Sequence, residues 1–232
     1  MTIQGTIEQI VLGSRFTVLM GKNGAGKSSL MREMDSAGRL NTRYISPERG
    51  GTLKYDPNVD NNIANSQGWL EQTRRQNRFE QFRQQSAVQF KTLEVLVLRE
   101  IEKDKTKRND HGYTFDLIIE ELNKLLPAIK LVRSDRGFSI NSKTGAVIQE
   151  DQISSGESEL LALAIEVLVF SRSEKPDKVL LLDEPDVHLH PDLQQKFISF
   201  VESVASKNNV RVVIATHSTA VIGAFSPIAD LT

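Results

Sequence analysis

Eight consecutive residues, Gly21-Lys22-Asn23-Gly24-Ala25-Gly26-Lys27-Ser28, constrain this chain more than any other part of it. They fit the pattern G-x-x-x-x-G-K-[ST] without a mismatch. Glycines let the backbone curl so that successive N–H groups point inward at an anion. A helix that starts there turns its positive end to the same point. Such a turn needs a strand to deliver it and a helix to leave it, and the flanks predict both. Arg15–Met20 reads as a short strand, and a helical pattern runs from Lys27 to about Arg39, ending near Gly38. A chance glycine-rich turn between a strand and a helix is the bland alternative, and the fit of both flanks argues against it.

The rest of the chain alternates in the same way. Thr6–Leu12 and Arg43-Tyr44-Ile45 read as strands, with Gly13-Ser14 as a turn, and the stretch from Pro47 to about Gln67 is loop-rich in Gly, Asn, Asp and Pro. From about Ser66 to Lys105, Phe79, Phe82, Phe90, Leu93, Val97 and Ile101 form one apolar helical stripe. Thr114–Leu126 repeats it with Phe115, Ile118, Leu122 and Leu125 until Pro127 stops it. Ile129–Val132, Phe138–Ile140 and Ala146–Ile148 predict a small β-segment. Beyond it come an apolar helix (Glu157–Phe170), a buried strand (Val179–Leu182), a helix (Asp192–Ser206), a second buried strand (Val210–Ala215) and the start of a last helix (Thr219–Ala224). Strands alternating with helices predict an α/β fold with a mainly parallel sheet, its ligands at the C-terminal strand ends. The predicted division is residues 1–65 and 150–232 as two parts of one core, with 66–149 as an inserted, mainly helical lobe.

Composition narrows the class. The 232 residues are 39% hydrophobic and 25% charged, ordinary for a globular protein. A net charge of −1 gives no global signature of nucleic-acid binding, although a local basic patch stays open. With no cysteine, a disulfide framework and a thiolate zinc site are excluded. No apolar run approaches the roughly 20 residues of a membrane span, and Met1–Met20 lacks the pattern of a signal peptide, so the expected setting is the cytoplasm, away from membranes.

Three further segments supply chemistry. Val179–Leu182 delivers Asp183 and Glu184 at a strand end, where Asp183 is expected to hold Mg²⁺, as is the Ser28 hydroxyl, and Glu184 to polarise a water. Lys27 is expected to reach the β- and γ-phosphates. Ile153-Ser154-Ser155-Gly156-Glu157 opens the apolar helix with a hydroxyl and free N–H groups, a second anion site far in sequence from the first. That site serves most economically the phosphate of a second subunit; an N-cap with a Ser-x-x-Glu-like box, suited by Ser155 and Ser158, is compatible with it. Thr216-His217-Ser218 follows the last strand, so His217 lies on the same sheet rim as the glycine-rich turn.

In this order, the four elements resemble the ABC-ATPase superfamily: Walker A (Gly21–Ser28), signature loop (Ile153–Glu157), Walker B with its glutamate (Val179–Glu184) and switch histidine (His217). The resemblance implies a P-loop NTPase fold binding ATP and Mg²⁺. Nucleotide contacts are expected at Gly21, Lys22, Asn23, Gly24, Ala25, Gly26, Lys27, Ser28 and Ser29. Ser154, Ser155, Gly156 and Glu157 are expected at the nucleotide of the partner in a head-to-tail homodimer, and Glu184, His217 and Lys27 as the catalytic set. The ending Leu189-His190-Pro191 after Glu184, with Ser-Ser-Gly-Glu as signature, looks like OLD-family nucleases and the Septu- and retron-associated ATPases of prokaryotic defence. SMC and RecF-type ATPases are more distant relatives. Two departures stand out: Ser46-Pro47-Glu48-Arg49 occupies the place of a Q-loop glutamine, and the lobe lacks the long heptad run of an SMC arm. The implied activity is ATP hydrolysis whose dimerisation cycle drives a fused or separate effector. The alternatives are a nucleotide-gated clamp on DNA or protein, with hydrolysis as reset, and a transporter subunit.

Other features carry blander readings. Arg74, Arg75, Arg78 and Arg83 are interleaved with Glu71 and Glu80, as on a solvated helix face, though they could face nucleic-acid phosphates. Trp69 reads as packing, and His188 and His190 as loop architecture or a dimer contact. The chain stops shortly after His217, where resembling proteins continue, so a longer natural protein is expected, with a short subunit acting on a separate partner as the alternative.

Overall fold

The computed structural model describes residues 11, 13–46, 79–134, 137–146, 148, 154–187 and 189–225. Its helices are α1 (Lys27–Ser36), α2 (Phe79–Lys103), α3 (Lys105–Asn109), α4 (Phe115–Leu125), α5 (Ser155–Ser171), α6 (Pro191–Asn208) and α7 (Thr219–Phe225). Strands β1 (Phe16–Leu19), β2 (Asn41–Ile45), β5 (Lys178–Asp183) and β6 (Arg211–Ala215) form a sheet in the order β1-β6-β5-β2, while β3 (Ile129–Ser134) and β4 (Gly137–Ser142) form a hairpin. All three pairings in the four-stranded sheet are parallel. The fold is thus of the α/β type with a parallel sheet.

The strands are apolar on both sides because helices cover both sides, and their side chains sort by the period of two. Phe16, Val18, Ile45, Leu180, Leu182, Val212 and Ile214 join the large core against α5 and α6. Tyr44, Val179, Leu181, Val213 and Ala215 face the other way, packing with Met31 and Met34 of α1 and with Val11. Parallel strands also bring Leu19, Ile45, Asp183 and Ala215 to one edge of the sheet. The glycine-rich turn and the loops that carry Glu184 and His217 therefore leave the same rim.

α5 lies against β5 on one side and against α2, α4 and α6 on the others, which explains why its pattern is apolar nearly all round. α2 and α4 bury Phe90, Leu93, Val97, Phe115, Ile118, Ile119 and Leu122 in the same cluster as α5, and Phe90 meets Phe115 edge-on with ring centroids 5.6 Å apart. The described part of 66–149 thus shares one continuous core with the sheet domain. A buried ion pair, Arg43 Nε to Glu166 Oε1 at 2.8 Å, ties β2 to α5. Among the described residues no helix is long and apolar enough to cross a membrane.

Most predicted elements fall within two or three residues of the observed ones. The strand expected over Thr6–Leu12 does not: most of it lies outside the described residues, and Val11 and Gly13 are helical, with Val11 fully buried. The spacing of Ile7, Ile10 and Val11 suits a helix as well as a strand, and short apolar runs cannot separate the two. Ala146 and Ile148 bond back to Ser142 and Ile140 without forming a strand of their own. Residues 66–78, with Trp69, Arg74, Arg75 and Arg78, lie outside the described residues, as do Ile153 and His188. Arg83 and the stripe residues Phe79 and Phe82 are described only as backbone of α2.

Candidate functional site

The glycine-rich turn leaves β1 at Leu19 and enters α1 at Lys27. Two of its residues take the left-handed backbone that only glycine adopts without strain, Gly24 at φ 79° and Gly26 at φ 89°. Gly26 is the N-cap of α1 and offers no side chain to its free N–H groups, and no acidic residue stands in the first turn. The amides at the start of α1 are therefore left for an outside anion.

Three side chains from three strand ends meet above this turn. Lys27 Nζ donates to the carbonyls of Gly21 (2.9 Å) and Lys22 (3.4 Å) and lies 2.8 Å from His217 Nε2. His217 Nε2 is in turn 3.6 Å from Glu184 Oε1. A cleft of about 650 Å³ is lined by residues 23–29 together with Arg32, Glu184 and His217. Its size suits a nucleotide, and its lining is polar where phosphates would lie. Ser154, Gly156 and Glu157 are not part of that lining.

Glu184 enters the cleft through an unusual backbone. Its φ is 46°, a region that costs a non-glycine residue about 1 kcal/mol or more, and its N–H donates to Ala215 O at 2.8 Å. The kink separates two adjacent carboxylates. Glu184 is part-exposed and faces His217, whereas Asp183 is buried on the α1 side of the sheet. Asp183 Oδ2 accepts a 2.6 Å hydrogen bond from the Tyr44 hydroxyl, and Asp183 Oδ1 is buried without a hydrogen-bond partner among the described residues. An orphaned buried carboxylate oxygen is costly unless a cation completes it. This donor set, a carboxylate oxygen beside the Ser28-bearing helix, fits Mg²⁺.

The two loops beyond the strands are bonded to each other. Thr216 Oγ1 donates to Asp186 Oδ1 (2.7 Å) and accepts from Ser218 N (2.9 Å). Gln194 of α6 donates to Asp186 O (3.1 Å) and Leu189 O (2.8 Å) and accepts from Ser218 Oγ (2.5 Å). His217 is thereby fastened on both sides to the 184–190 loop. His190 Nδ1 stands 3.7 Å from Asp192 Oδ2, both exposed.

At the other predicted anion site, the cap of α5 is Ser154, whose hydroxyl accepts from Glu157 N at 3.2 Å. Glu157 points inward: Oε1 accepts from the N–H groups of Ala128 (2.8 Å) and Ile129 (3.2 Å), and Oε2 from Ser154 Oγ. Its carboxylate braces the helix start against the turn before β3, leaving Ser154 exposed at the tip.

The AAA ATPase domain family matches residues 52–222, well over half of the chain. The chain belongs to that family. It is therefore an ATPase; the glycine-rich turn itself precedes the matched span. Solved structures similar to this ATPase include an Smc head bound to the C-winged helix domain of ScpA (20% identity, TM-score 0.39, covering 58% of this chain and 43% of that one). Others are the SMC head domain from Thermotoga maritima (22%, 0.36, 46% and 40%) and an Smc head domain with an extended coiled coil from Pyrococcus furiosus (16%, 0.36, 95% and 49%). The ATPase spans less than half the length of each of these three. No curated protein matches it.

Three residues that sequence does not single out bear on the site: Arg32 lines the cleft, Tyr44 bonds Asp183, and Gln194 joins the two loops. Arg32 lies one helical turn beyond Ser28, a spacing visible in sequence. Tyr44 and Gln194 depend on strand register and on loop contacts that sequence spacing does not carry.

Proposed function

We propose that this ATPase binds Mg²⁺-ATP at Lys27 and Ser28 and hydrolyses it in a head-to-tail dimer of the ABC type. The observation that carries the reading is the meeting of Lys27, Glu184 and His217 in one cleft, from loops after three different strands. The amides of residues 21–29 hold the phosphates and Lys27 reaches the terminal ones. Glu184 polarises the attacking water, and His217 contacts the γ-phosphate. Ser28 and Asp183 hold Mg²⁺, which, when bound, neutralises phosphate charge.

Ser154, Ser155 and Gly156 complete the cleft of a second copy. Ser154 and Gly156 do not line the chain's own cleft, which supports a role in trans, and Glu157 sets the cap that presents them. A two-fold axis makes the contact reciprocal. Residues 1–65 and 150–232 form the ATPase core, and 66–149 is an insertion whose described helices α2 and α4 pack on α5. Within the ABC type the Leu-His-Pro ending favours the OLD-like defence group, acting in the cytoplasm on a fused or separate effector. A nucleotide-gated clamp on DNA or protein is the second reading; stimulation of turnover by DNA would favour it.

The test uses two variants. Glu184→Gln should bind ATP, stop hydrolysis and accumulate as a dimer in sedimentation; full turnover would remove Glu184 from its role. Mixing inactive Lys27→Ala with inactive Ser154→Arg chains should restore one composite site and part of the activity. A monomer that ignores ATP yet turns over fully would reject the dimer.

A further inference from the structure

Tyr44 stands on β2 opposite Leu181 of β5, so by the period of two its ring lies on the same face of the sheet as Leu181 and Asp183. That face is the one packed against α1, where Tyr44 belongs to the cluster of Met31, Met34, Val179 and Leu181. The ring is almost wholly buried, at 2% exposure, so its hydroxyl has little freedom. It ends 2.6 Å from Asp183 Oδ2, a short hydrogen bond to a carboxylate that is itself 2% exposed. The other oxygen, Oδ1, is buried and has no hydrogen-bond partner among the described residues. The two oxygens of this carboxylate thus stand in sharply different surroundings.

We infer that Tyr44 is a positioning residue for the metal site: it clamps Oδ2 of Asp183 so that Oδ1 alone is presented to the divalent cation. The inference rests on the reading of Asp183 as a Mg²⁺ ligand. A carboxylate free to rotate would offer either oxygen, or both, and would spend part of its time turned from the cation. The phenol removes that freedom and satisfies the lone pairs that the cation does not use. β2 is itself held at this depth by its two neighbours on the chain's other contacts: Thr42 donates to Asp35 of α1 at 2.8 Å, and Arg43 pairs with Glu166 of α5. The clamp is therefore built into the strand.

The experiment measures affinity for a non-hydrolysable ATP analogue by calorimetry, once with Mg²⁺ and once with a chelator, in three proteins: wild type, Tyr44→Phe and Asp183→Asn. The ratio of the two dissociation constants is the metal's contribution. Phenylalanine keeps the ring in its cluster and removes only the hydroxyl. Losing such an outer partner typically weakens metal binding about 10- to 100-fold. The expected result for Tyr44→Phe is unchanged affinity in chelator and a metal contribution about 10-fold smaller. An unchanged contribution in Tyr44→Phe beside a lost one in Asp183→Asn would overturn the clamp and leave the Mg²⁺ reading standing. A contribution unchanged in Asp183→Asn would overturn the Mg²⁺ reading itself. If Tyr44→Phe weakened binding equally with and without metal, Tyr44 would support the phosphate turn and the clamp would be wrong.

Discussion

The ammonium of Lys27 and Nε2 of His217 lie 2.8 Å apart although 190 residues separate them in sequence. An ammonium only donates, so in this contact Nε2 of His217 is the acceptor. The same Nε2 is the atom nearest Glu184. His217 thus sits between the phosphate-binding lysine and the carboxylate proposed to polarise water. His217→Ala should leave ATP affinity within a few-fold and lower turnover on the order of 100-fold. Calorimetric titration and steady-state phosphate release check the two halves, and undiminished turnover would exclude His217 from the reaction.

Glu184 is held in a left-handed backbone, φ 46°, at the end of β5. Glycine adopts that conformation without strain, while alanine meets the same steric conflict as glutamate. Glu184→Gly should therefore be more stable than Glu184→Ala by about 1 kcal/mol, with both inactive. Urea unfolding of the pair measures the difference. Equal stability would show that the kink stores no strain.

Glu157 accepts two backbone N–H bonds, from Ala128 and from the buried Ile129, besides capping with Ser154. Removing a carboxylate that satisfies buried donors costs about 1–3 kcal/mol for each donor left unmet. Water can reach the N–H of the exposed Ala128 but not that of Ile129, so Glu157→Ala should destabilise the domain by about 1–3 kcal/mol and lower the melting temperature by several degrees. A Glu157→Ala protein with the wild-type melting temperature would contradict this bracing role.

How far the site was legible in sequence depended on the range of each interaction. The turn at Gly21–Ser28 and the carboxylates after Val179–Leu182 are local, each written in one contiguous run beside its own strand. The cap of α5 was half legible: a serine was expected there, but the choice of Ser154 over Ser155 and Ser158 follows from the extended backbone of Ser154, at φ −62° and ψ 141°. The turning inward of Glu157 depends on the turn before β3, 28 and 29 residues earlier, and no spacing rule reaches it. Tyr44 meets Asp183 only because β2 pairs with β5 in one register; a slip of one residue would put Tyr44 on the α5 side. Val11 was misread because a few apolar residues carry no reliable period.

The last prediction concerns Gln194, a buried amide on the first turns of α6. Both of its ends are used: the NH₂ donates to Asp186 O and Leu189 O, and the carbonyl accepts from Ser218 Oγ. It is the bolt between the loop that follows Glu184 and the loop that carries His217. Gln194→Leu keeps the volume of the side chain and strands two carbonyls and a hydroxyl, so the fold should lose about 2–3 kcal/mol. The larger effect should fall on catalysis. With the bolt gone, the Thr216–Asp186 bond still joins the two loops, but one side of the fastening is lost, and small misplacements of catalytic groups lower rates far more than binding. Turnover should drop 10- to 100-fold, with ATP affinity kept, since the turn at residues 21–28 is untouched. Gln194→Glu keeps the acceptor but forfeits the donated bonds, placing a carboxylate against two carbonyls, and should be no more active than Gln194→Leu. Turnover and calorimetric affinity, measured together at a temperature where both variants are folded, decide it. A Gln194→Leu protein with wild-type turnover would show that the two loops hold their places without the bolt.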